Sequence, residues 1–342
     1  MNIKADELRV ICKNAFTKVG VPEEDAKLIA NAAVFSDERG VASHGTIRLN
    51  VYRKRIEEGL INPKAEPKIV NDAGALVHLD GDNGLGQVVC YKAADIAIER
   101  ARKYGTSVVS VYHTNHAAYL SAYAAKITQA GMIAYLMCNT KPFVAAIGSM
   151  EPVVGTNPMC WAIPADPFPI ILDMAISPAR GKIKNYAAWG KDIPEGWALG
   201  PDGQPTTNAK EALAGVLLPI AGHKGYGMGI MVEAMSAVMS GAAYGKNVTH
   251  NLDDHEHIPN SGVFIMAIDP AKLMPEEEFS RRVEDYKTMI KTAKAAPGAE
   301  ILLPGELEYR SQVKAASEGL EISDAVVNEL IEFGKRALKG ER

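Results

Sequence analysis

Cysteine is scarce in this chain: four residues in 342, at positions 12, 90, 138 and 160, with no CxxC pair. So thin a supply excludes a disulfide scaffold and a thiolate zinc site. Cys12, Cys90, Cys138 and Cys160 read instead as small buried apolar residues in a reducing compartment. Long hydrophobic runs are missing too. No stretch approaches 18 uninterrupted apolar residues, which argues against a membrane span. The first ten residues, MNIKADELRV, are charged and hold no apolar segment of the secretory kind, so the cytoplasm is the expected location. Positive charge is not in excess either: 37 Lys and Arg face 41 Asp and Glu, a net charge of −4. Nucleic-acid binding needs clustered cations and finds no support here. The densest run, Arg53-Lys54-Arg55, stands beside Glu57 and Glu58 and reads as a solvated helix face.

What is present is the composition of an ordinary globular protein, 47% hydrophobic and 23% charged. The length suffices for two or three packed domains, or for one large domain with a subdomain. Residues 4–18 carry Leu8, Ile11, Cys12, Ala15 and Phe16 at helical spacing. A second helix starts at Pro22 and runs to Arg39-Gly40, and a third is expected from an N-cap at Ser43 to Gly59. Beyond Asn62-Pro63 the pattern changes. Strands are expected at 75–79, 107–111 and 132–137, with helices at 86–104 and 119–130 between them. That β–α–β–α–β alternation argues a layered α/β domain. Further strands are expected at 170–174 and 263–268, a glycine-rich helix start at 222–229, and two C-terminal helices at 276–294 and 322–338.

Several clusters could carry chemistry. His44 and Arg48 are four apart and would share one face of a helix. A guanidinium grips a carboxylate with two hydrogen bonds, and an imidazole can meet the neighbouring oxygen of a 2-keto acid. Tyr112-His113-Thr114-Asn115-His116 follows a buried strand, where α/β domains commonly line clefts. A histidine there suits proton transfer at neutral pH, and spacing leaves His113 and His116 as equal candidates. Lys224-Gly225 lies in a glycine-rich helix start whose N–H groups suit phosphate. Neither phosphate-loop word is complete: Gly222-His223-Lys224-Gly225 lacks Walker A spacing, and Val89 stands where GxGxxG needs its last glycine. Asp253-Asp254-His255-Glu256-His257 invites a metal reading, but its imidazoles are two apart, and a solvated loop is the expectation.

In one order along almost the whole chain, the segments "SHGTIRLNVYRKRIEEGLINP" (43–63), "DGDNGLGQV" (80–88), "NH" (115–116), "EPVVGTNP" (151–158), "LDMAISPARGKI" (172–183), "IPEGWALGPDGQPTT" (193–207), "LLPIAGHKGYG" (217–227) and "LLPGELE" (302–308) resemble the malate/L-lactate dehydrogenase family. This is the non-Rossmann family that includes sulfolactate, ureidoglycolate and diketogulonate dehydrogenases. The resemblance implies a mixed-sheet α/β, non-Rossmann NAD(P)-binding fold with a helical N-terminal subdomain. It also implies a homodimer with its active site near the subunit interface. The expected division is a helical subdomain of residues 1–70 joined by C-terminal helices 300–342, and a mixed α/β cofactor- and substrate-binding domain of 71–299. By motif, His116 resembles the family's acid/base, and His44 with Arg48 resembles its substrate-facing group; the split of proton transfer between the two histidines stays open. Thr140, Thr156, Asn157, Pro158, Asp173, Met174, Ala175, Lys224, Gly225, Pro304, Gly305 and Glu306 match the segments that hold the cofactor, NAD or NADP, and no metal is expected.

The implied activity interconverts a small (S)-2-hydroxy acid and its 2-keto acid by hydride transfer. Reduction of cyclic 2-imino acids is the nearest alternative, with a metal-dependent lyase using His255 and His257 behind it. Three positions depart from the family pattern. Ala118 replaces a glycine two residues after His116, Met150 replaces an arginine in Gly148-Ser149-Met150-Glu151-Pro152, and Pro259 stands where ureidoglycolate enzymes carry arginine. The last two argue against ureidoglycolate as substrate and against a second arginine for a dicarboxylate.

Overall fold

The computed structural model describes residues 1–335. A short strand β1 (Asn2–Ile3) leads into helices α1 (Ala5–Lys18) and α2 (Glu23–Glu38). Two single 3-10 turns (Ala42–His44 and Thr46–Arg48) then precede α3 (Leu49–Glu57). Next come β2 (Lys68–Asp72), β3 (Leu76–Gly84), α4 (Gly86–Tyr104), β4 (Thr106–Thr114), α5 (Ser121–Gln129) and β5 (Ile133–Cys138). The middle of the chain forms β6 (Pro142–Ala145), β7 (Pro152–Gly155), β8 (Met159–Ile163), β9 (Ile170–Met174), α6 (Arg180–Ala188), β10 (Ala198–Leu199), β11 (Pro205–Thr206), α7 (Ala209–Ala214), β12 (Val216–Leu217) and α8 (His223–Glu233). Then follow β13 (Ser261–Ile268), α9 (Glu276–Lys291), α10 (Glu306–Glu318), β14 (Leu320–Glu321) and α11 (Asp324–Lys335).

The main sheet has seven strands in the order β2-β3-β4-β13-β5-β8-β9. Only β3 and β4 are parallel neighbours; every other adjacent pair in it is antiparallel. The expected β–α–β–α–β run is there, with β13 inserted between β4 and β5. Direction follows from the pairings. Two antiparallel steps separate β4 from β5 and again β5 from β9, so β3, β4, β5 and β9 all point the same way. Their C-terminal ends therefore share one edge of the sheet, where ligands of open α/β sheets bind. Helices α4 and α5 cover one face. Alanines at 93, 94, 97 and 101 let α4 lie close over Val77, Val109, Val111 and Ile265, each large buried side chain contributing roughly 1.5–3 kcal/mol.

A second core joins the two ends of the described chain. Leu8, Phe16, Ile29, Leu49 and Tyr52 pack with Leu320, Val327, Leu330 and Phe333, and β1 pairs with β14 through Asn2 and Glu321. A third core lies under the smaller five-stranded sheet, β11-β10-β12-β6-β7. Residues 336–342 of the expected C-terminal segment lie outside the described residues.

Four readings change. The expected third helix is broken into two turns before α3. The strand expected at 75–79 runs on to Gly84, through Asp82 and Asn83 at φ 52° and 53°. Helix α10 carries no apolar stripe to betray it, since only Glu306 and Ala315 of it are buried. Arg53 and Arg55 are not on a solvated face. They are 9% and 0% exposed: Arg53 stacks 3.6 Å over the Phe333 ring and pairs with Glu57, and Arg55 donates to the carbonyls of Asp254 and His257.

Candidate active site

His44 and Arg48 owe their positions to Asp37. This buried carboxylate near the end of α2 accepts hydrogen bonds from the Thr46 amide at 3.0 Å and the Thr46 hydroxyl at 2.7 Å. It lies so close under Gly45 that a Cβ there would fall 1.9 Å from its oxygen. A continuous helix from Ser43 would have no room for that contact, and the chain makes two 3-10 turns instead. Ser43 is accordingly not a helix cap: its hydroxyl meets His44 Nδ1 at 2.9 Å. The Nε of Arg48 donates to the Ser43 carbonyl at 2.7 Å, and its guanidinium forms no ion pair among the described residues, leaving it available to an anion.

Asp37 gives the first prediction. Asp37→Ala strands the Thr46 donors and should cost about 1–3 kcal/mol, with a raised KM for the acid substrate because the His44–Arg48 loop loosens. Burial, the largest influence, pushes the Asp37 carboxyl up to about 6. A raised folded-state pKa means its contribution is full below the unfolded value and is lost as pH rises through about 6. Urea denaturation should therefore show the parent losing stability relative to Asp37→Asn between pH 4 and pH 7.

His116 follows the C-terminal end of β4. Asn115 anchors that end, its amide donating to Asn83 O at 3.1 Å, Asn83 Oδ1 at 2.9 Å and Gly84 O at 3.0 Å. The His116 ring stacks against that of His44, with centroids 5.9 Å apart and planes 23° apart. Its Nδ1 lies 2.6 Å from the hydroxyl of buried Tyr52 in α3. Burial, then the charges of His44, Arg48 and His250, hold the His116 imidazolium well below the ordinary histidine range. Burial and Arg48 hold His44 at about 4. Both rings are thus neutral near pH 7. Ala118 adopts φ 57°, the left-handed region that favours glycine. His113 is set apart: it is exposed, and its Nδ1 pairs with Asp80 at 3.2 Å.

The segments matched to the cofactor form two linked groups. In the first, buried Asn157 at φ 35° accepts from the Thr140 amide at 3.2 Å and donates to Gly229 O at 2.9 Å and Glu233 at 2.6 Å. Thr140 Oγ1 also accepts from the Thr156 amide at 2.8 Å. Pro158 follows directly, with its carbonyl accepting from the Cys138 amide at 3.3 Å. Gly225 seats α8 against Ile220, whose carbonyl a Cβ would approach to 2.1 Å. Three of the expected free amides at this helix start are engaged: those of Lys224, Gly225 and Tyr226 bond to Ala221, Ile220 and Gly222 carbonyls. What Lys224 offers is an exposed ammonium group.

In the second group, Asp173 sits in β9 one residue before Met174 and two before Ala175. Its carboxylate accepts from the Ser121 amide at 2.8 Å and hydroxyl at 2.7 Å, and burial pushes it up to about 6. Ser121, Asp173, Pro304 and Gly305 are among the residues that line a cavity of about 260 Å³. Glu306 is already engaged: it takes Lys291 at 2.9 Å, Arg310 at 2.6 Å and the Leu303 amide at 3.0 Å. Burial raises its carboxyl, and these three donors outweigh that and hold it at about 2. Glu306 thus braces the 302–305 loop. The groups meet at Ile176, whose amide donates to Thr156 O and whose carbonyl accepts from Ile220.

His255 pairs with Glu58 at 2.8 Å and His257 with Asp254 at 3.2 Å, on a loop tied to α3 through Arg55. Among the described residues no group of three or more His, Cys, Asp or Glu side chains is arranged to hold a metal ion, and no helix is long and apolar enough to cross a membrane. Three residues that position the site were given no role by the sequence: Asp37, which lies outside every matched segment, and Tyr52 and Asn115, which lie inside them. Tyr52 left a further signal, since 44, 48 and 52 continue one spacing of four.

Residues 3–331 match the family model described as malate/L-lactate dehydrogenase. The chain is 39% identical to L-sulfolactate dehydrogenase from Methanocaldococcus jannaschii, over 97% of this chain and 96% of that one. It is 37% identical to malate dehydrogenase from Pyrococcus abyssi, over 98% and 95%. The solved structure of the Methanocaldococcus jannaschii sulfolactate dehydrogenase superposes with a TM-score of 0.93, covering 98% of this chain and 97% of that one at 38% identity. The protein belongs to the malate/L-lactate dehydrogenase family, with the mixed α/β fold of its solved relatives.

Proposed function

We propose that the protein is a nicotinamide-dependent oxidoreductase that interconverts a small (S)-2-hydroxy acid and its 2-keto acid. One observation carries the reading. At the shared C-terminal edge of the sheet, an arginine without an ion-pair partner among the described residues stands with two neutral histidines whose rings are stacked. Arg48 would hold the substrate carboxylate by paired hydrogen bonds. His116 would take the C2 hydroxyl proton during oxidation and return it during reduction, and His44 would hydrogen-bond the reacting oxygen. Thr140, the 156–158 turn, Asp173 to Ala175, Lys224-Gly225 and the 304–306 loop would hold the dinucleotide. Their chemistry fits it: Asp173 faces a cavity and suits hydroxyl or amide donors, and the Lys224 ammonium suits a pyrophosphate. Bound there, NAD or NADP supplies the hydride acceptor or donor for C2.

Sulfolactate and malate, the substrates named for the two relatives above, both carry a second anionic group, which makes a dianionic 2-hydroxy acid the first choice. The test is NADH and NADPH consumption at neutral pH across pyruvate, oxaloacetate, sulfopyruvate, diketogulonate and cyclic imino acids. Keto-acid turnover supports the reading, and turnover of imines alone would replace it. Because burial keeps His116 neutral, kcat/KM for oxidation should stay level from pH 8 down to 6.5 and bend only below that. Reduction needs the imidazolium and should fall with rising pH across the same range.

We also propose a homodimer in the cytoplasm. Ile230, Met231, Val238 and Met239, between 38% and 57% exposed on α8 and its extension, give an apolar face for a second copy to cover. The four buried cysteines, none in a disulfide, suit a reducing compartment.

A further inference from the structure

Met150 and Pro259 supply no arginine for the second anion of a dianionic acid, and the structure gathers other donors nearby. Phe143, in β6, is flanked by two of them. The Arg180 guanidinium in α6 lies 5.0 Å from the centre of its ring. The His250 ring meets it edge-on, with centroids 5.6 Å apart. Two exposed lysines extend the group. Lys184 lies one turn beyond Arg180 on the same face of α6, and Lys141 stands two residues before Phe143, on the same side of the extended chain. Among the described residues Lys141, Arg180 and Lys184 form no ion pair; Arg180 keeps one bond, to the Leu213 carbonyl at 2.9 Å.

The ring of His250 is fixed from behind. Its Nδ1 accepts from the amides of Leu252 at 3.1 Å and Asp253 at 2.9 Å, so its proton is on Nε2. The Asp253 carboxylate lies 3.7 Å from Nε2, beyond hydrogen-bond reach, which leaves a directed N–H without a partner among the described residues. Burial, then the charges of Lys141, Lys184 and Arg180 against that of Asp253, hold the imidazolium below the ordinary histidine range. The cluster borders His116. Strand β13 starts between the ends of β4 and β5, with Ser261 opposite Thr114 and Val263 opposite Cys138. His116 leaves that edge two residues after Thr114 and Lys141 three residues after Cys138, two interstrand spacings apart, about 10 Å. The loop entering β13 there carries His250, and α3 holds it. Leu252 packs against the core of Leu49 and Tyr52, and Arg55 donates to the carbonyls of Asp254 and His257. From the same helix the Tyr52 hydroxyl meets His116 Nδ1.

We propose that His250, with Lys141, Arg180 and Lys184, binds the second anionic group of the substrate, the one carried on C3, while Arg48 holds the C1 carboxylate. Sulfopyruvate and oxaloacetate carry that group, and pyruvate lacks it. The Nε2–H gives the anion one oriented donor, and the three cations repay the cost of taking a sulfonate or carboxylate out of water. The proposal rests on the hydroxy-acid reading above and names the residues behind its preference for a dianion. A dinucleotide phosphate has the same chemistry, and Lys141 adjoins Thr140, so the nucleotide is the rival occupant.

The test is calorimetric titration of the full-length protein with sulfopyruvate and with pyruvate, in the presence of the oxidised nucleotide, which can reduce neither. The parent should bind sulfopyruvate about a hundredfold more tightly than pyruvate. His250→Asn keeps an acceptor for the Leu252 and Asp253 amides, as Asn does in turns, and removes the imidazole N–H. Lys141→Met removes an exposed charge and leaves the core untouched. Each should cut the ratio of the two affinities by about tenfold, the worth of one charge-assisted hydrogen bond. A general loosening of the site weakens both acids and leaves that ratio alone. Sulfopyruvate bound no more tightly than pyruvate by the parent, or a ratio unchanged in either variant, would overturn the proposal. An unchanged ratio in Lys141→Met with weakened NADH or NADPH binding would give the cluster to a dinucleotide phosphate instead. A parent that shows the ratio but turns over no hydroxy or keto acid would strike the functional reading and leave the anion site standing.

Discussion

His116→Ala is expected to lower turnover of the preferred hydroxy acid by about two to four orders of magnitude, the usual worth of a positioned acid/base. Nucleotide binding should stay intact. The size of the effect follows from how the ring is held: Asn115 pins the backbone at the end of β4, Tyr52 holds Nδ1, and burial keeps the imidazole neutral. Alanine leaves none of these interactions with a proton acceptor in place. The segments proposed to hold the dinucleotide, at 140, 156–158 and 224–225, form no hydrogen bond to His116, so NADH fluorescence titration should give a near-parent Kd. Near-parent turnover would remove His116 from the role. His44→Ala measured alongside assigns the proton donor, since the stacked partner ring is the one rival within reach.

Arg48→Lys is expected to reduce kcat/KM for the acid substrate by about two orders of magnitude, mostly through KM. A charge-assisted, bidentate hydrogen-bond pair is worth about 1.5–3 kcal/mol, and lysine replaces the planar fork with a point charge. The local geometry adds to the loss: Arg48 Nε is fixed by the Ser43 carbonyl at 2.7 Å, which aims the other two nitrogens, and lysine has no second donor group to keep that anchor while binding substrate. Charge at this position also helps hold both histidines neutral. An unchanged KM for the keto acid in Arg48→Lys would show that the carboxylate binds elsewhere.

Much of this was readable before the structure, for identifiable reasons. The strands at 107–111 and 263–268 are short, mostly buried runs rich in valine and isoleucine, and α4 has its alanines on one face, so periodicity found them. The cluster of His44, Arg48 and His116 was legible only through ordered family words, because residues separated by some seventy positions meet through the β3-α4-β4 crossover that no local pattern reports. The helix expected from Ser43 failed because a distant side chain, Asp37, captures Thr46. Local propensity cannot see a carboxylate arriving from another helix. Arg53 and Arg55 misled for a similar reason: a charged run reads as solvated until packing supplies Phe333 and the carbonyls of Asp254 and His257.

The most direct test of hydride transfer at this site is the fate of the C2 hydrogen. The hydroxy acid that supports the fastest turnover is prepared with deuterium at C2 and oxidised in ordinary water, and the reduced nucleotide and keto acid are examined by NMR and mass spectrometry. Deuterium recovered quantitatively at C4 of the reduced nicotinamide, on one face, is the predicted result. Deuterium released to water would contradict the account and point to proton abstraction at carbon instead.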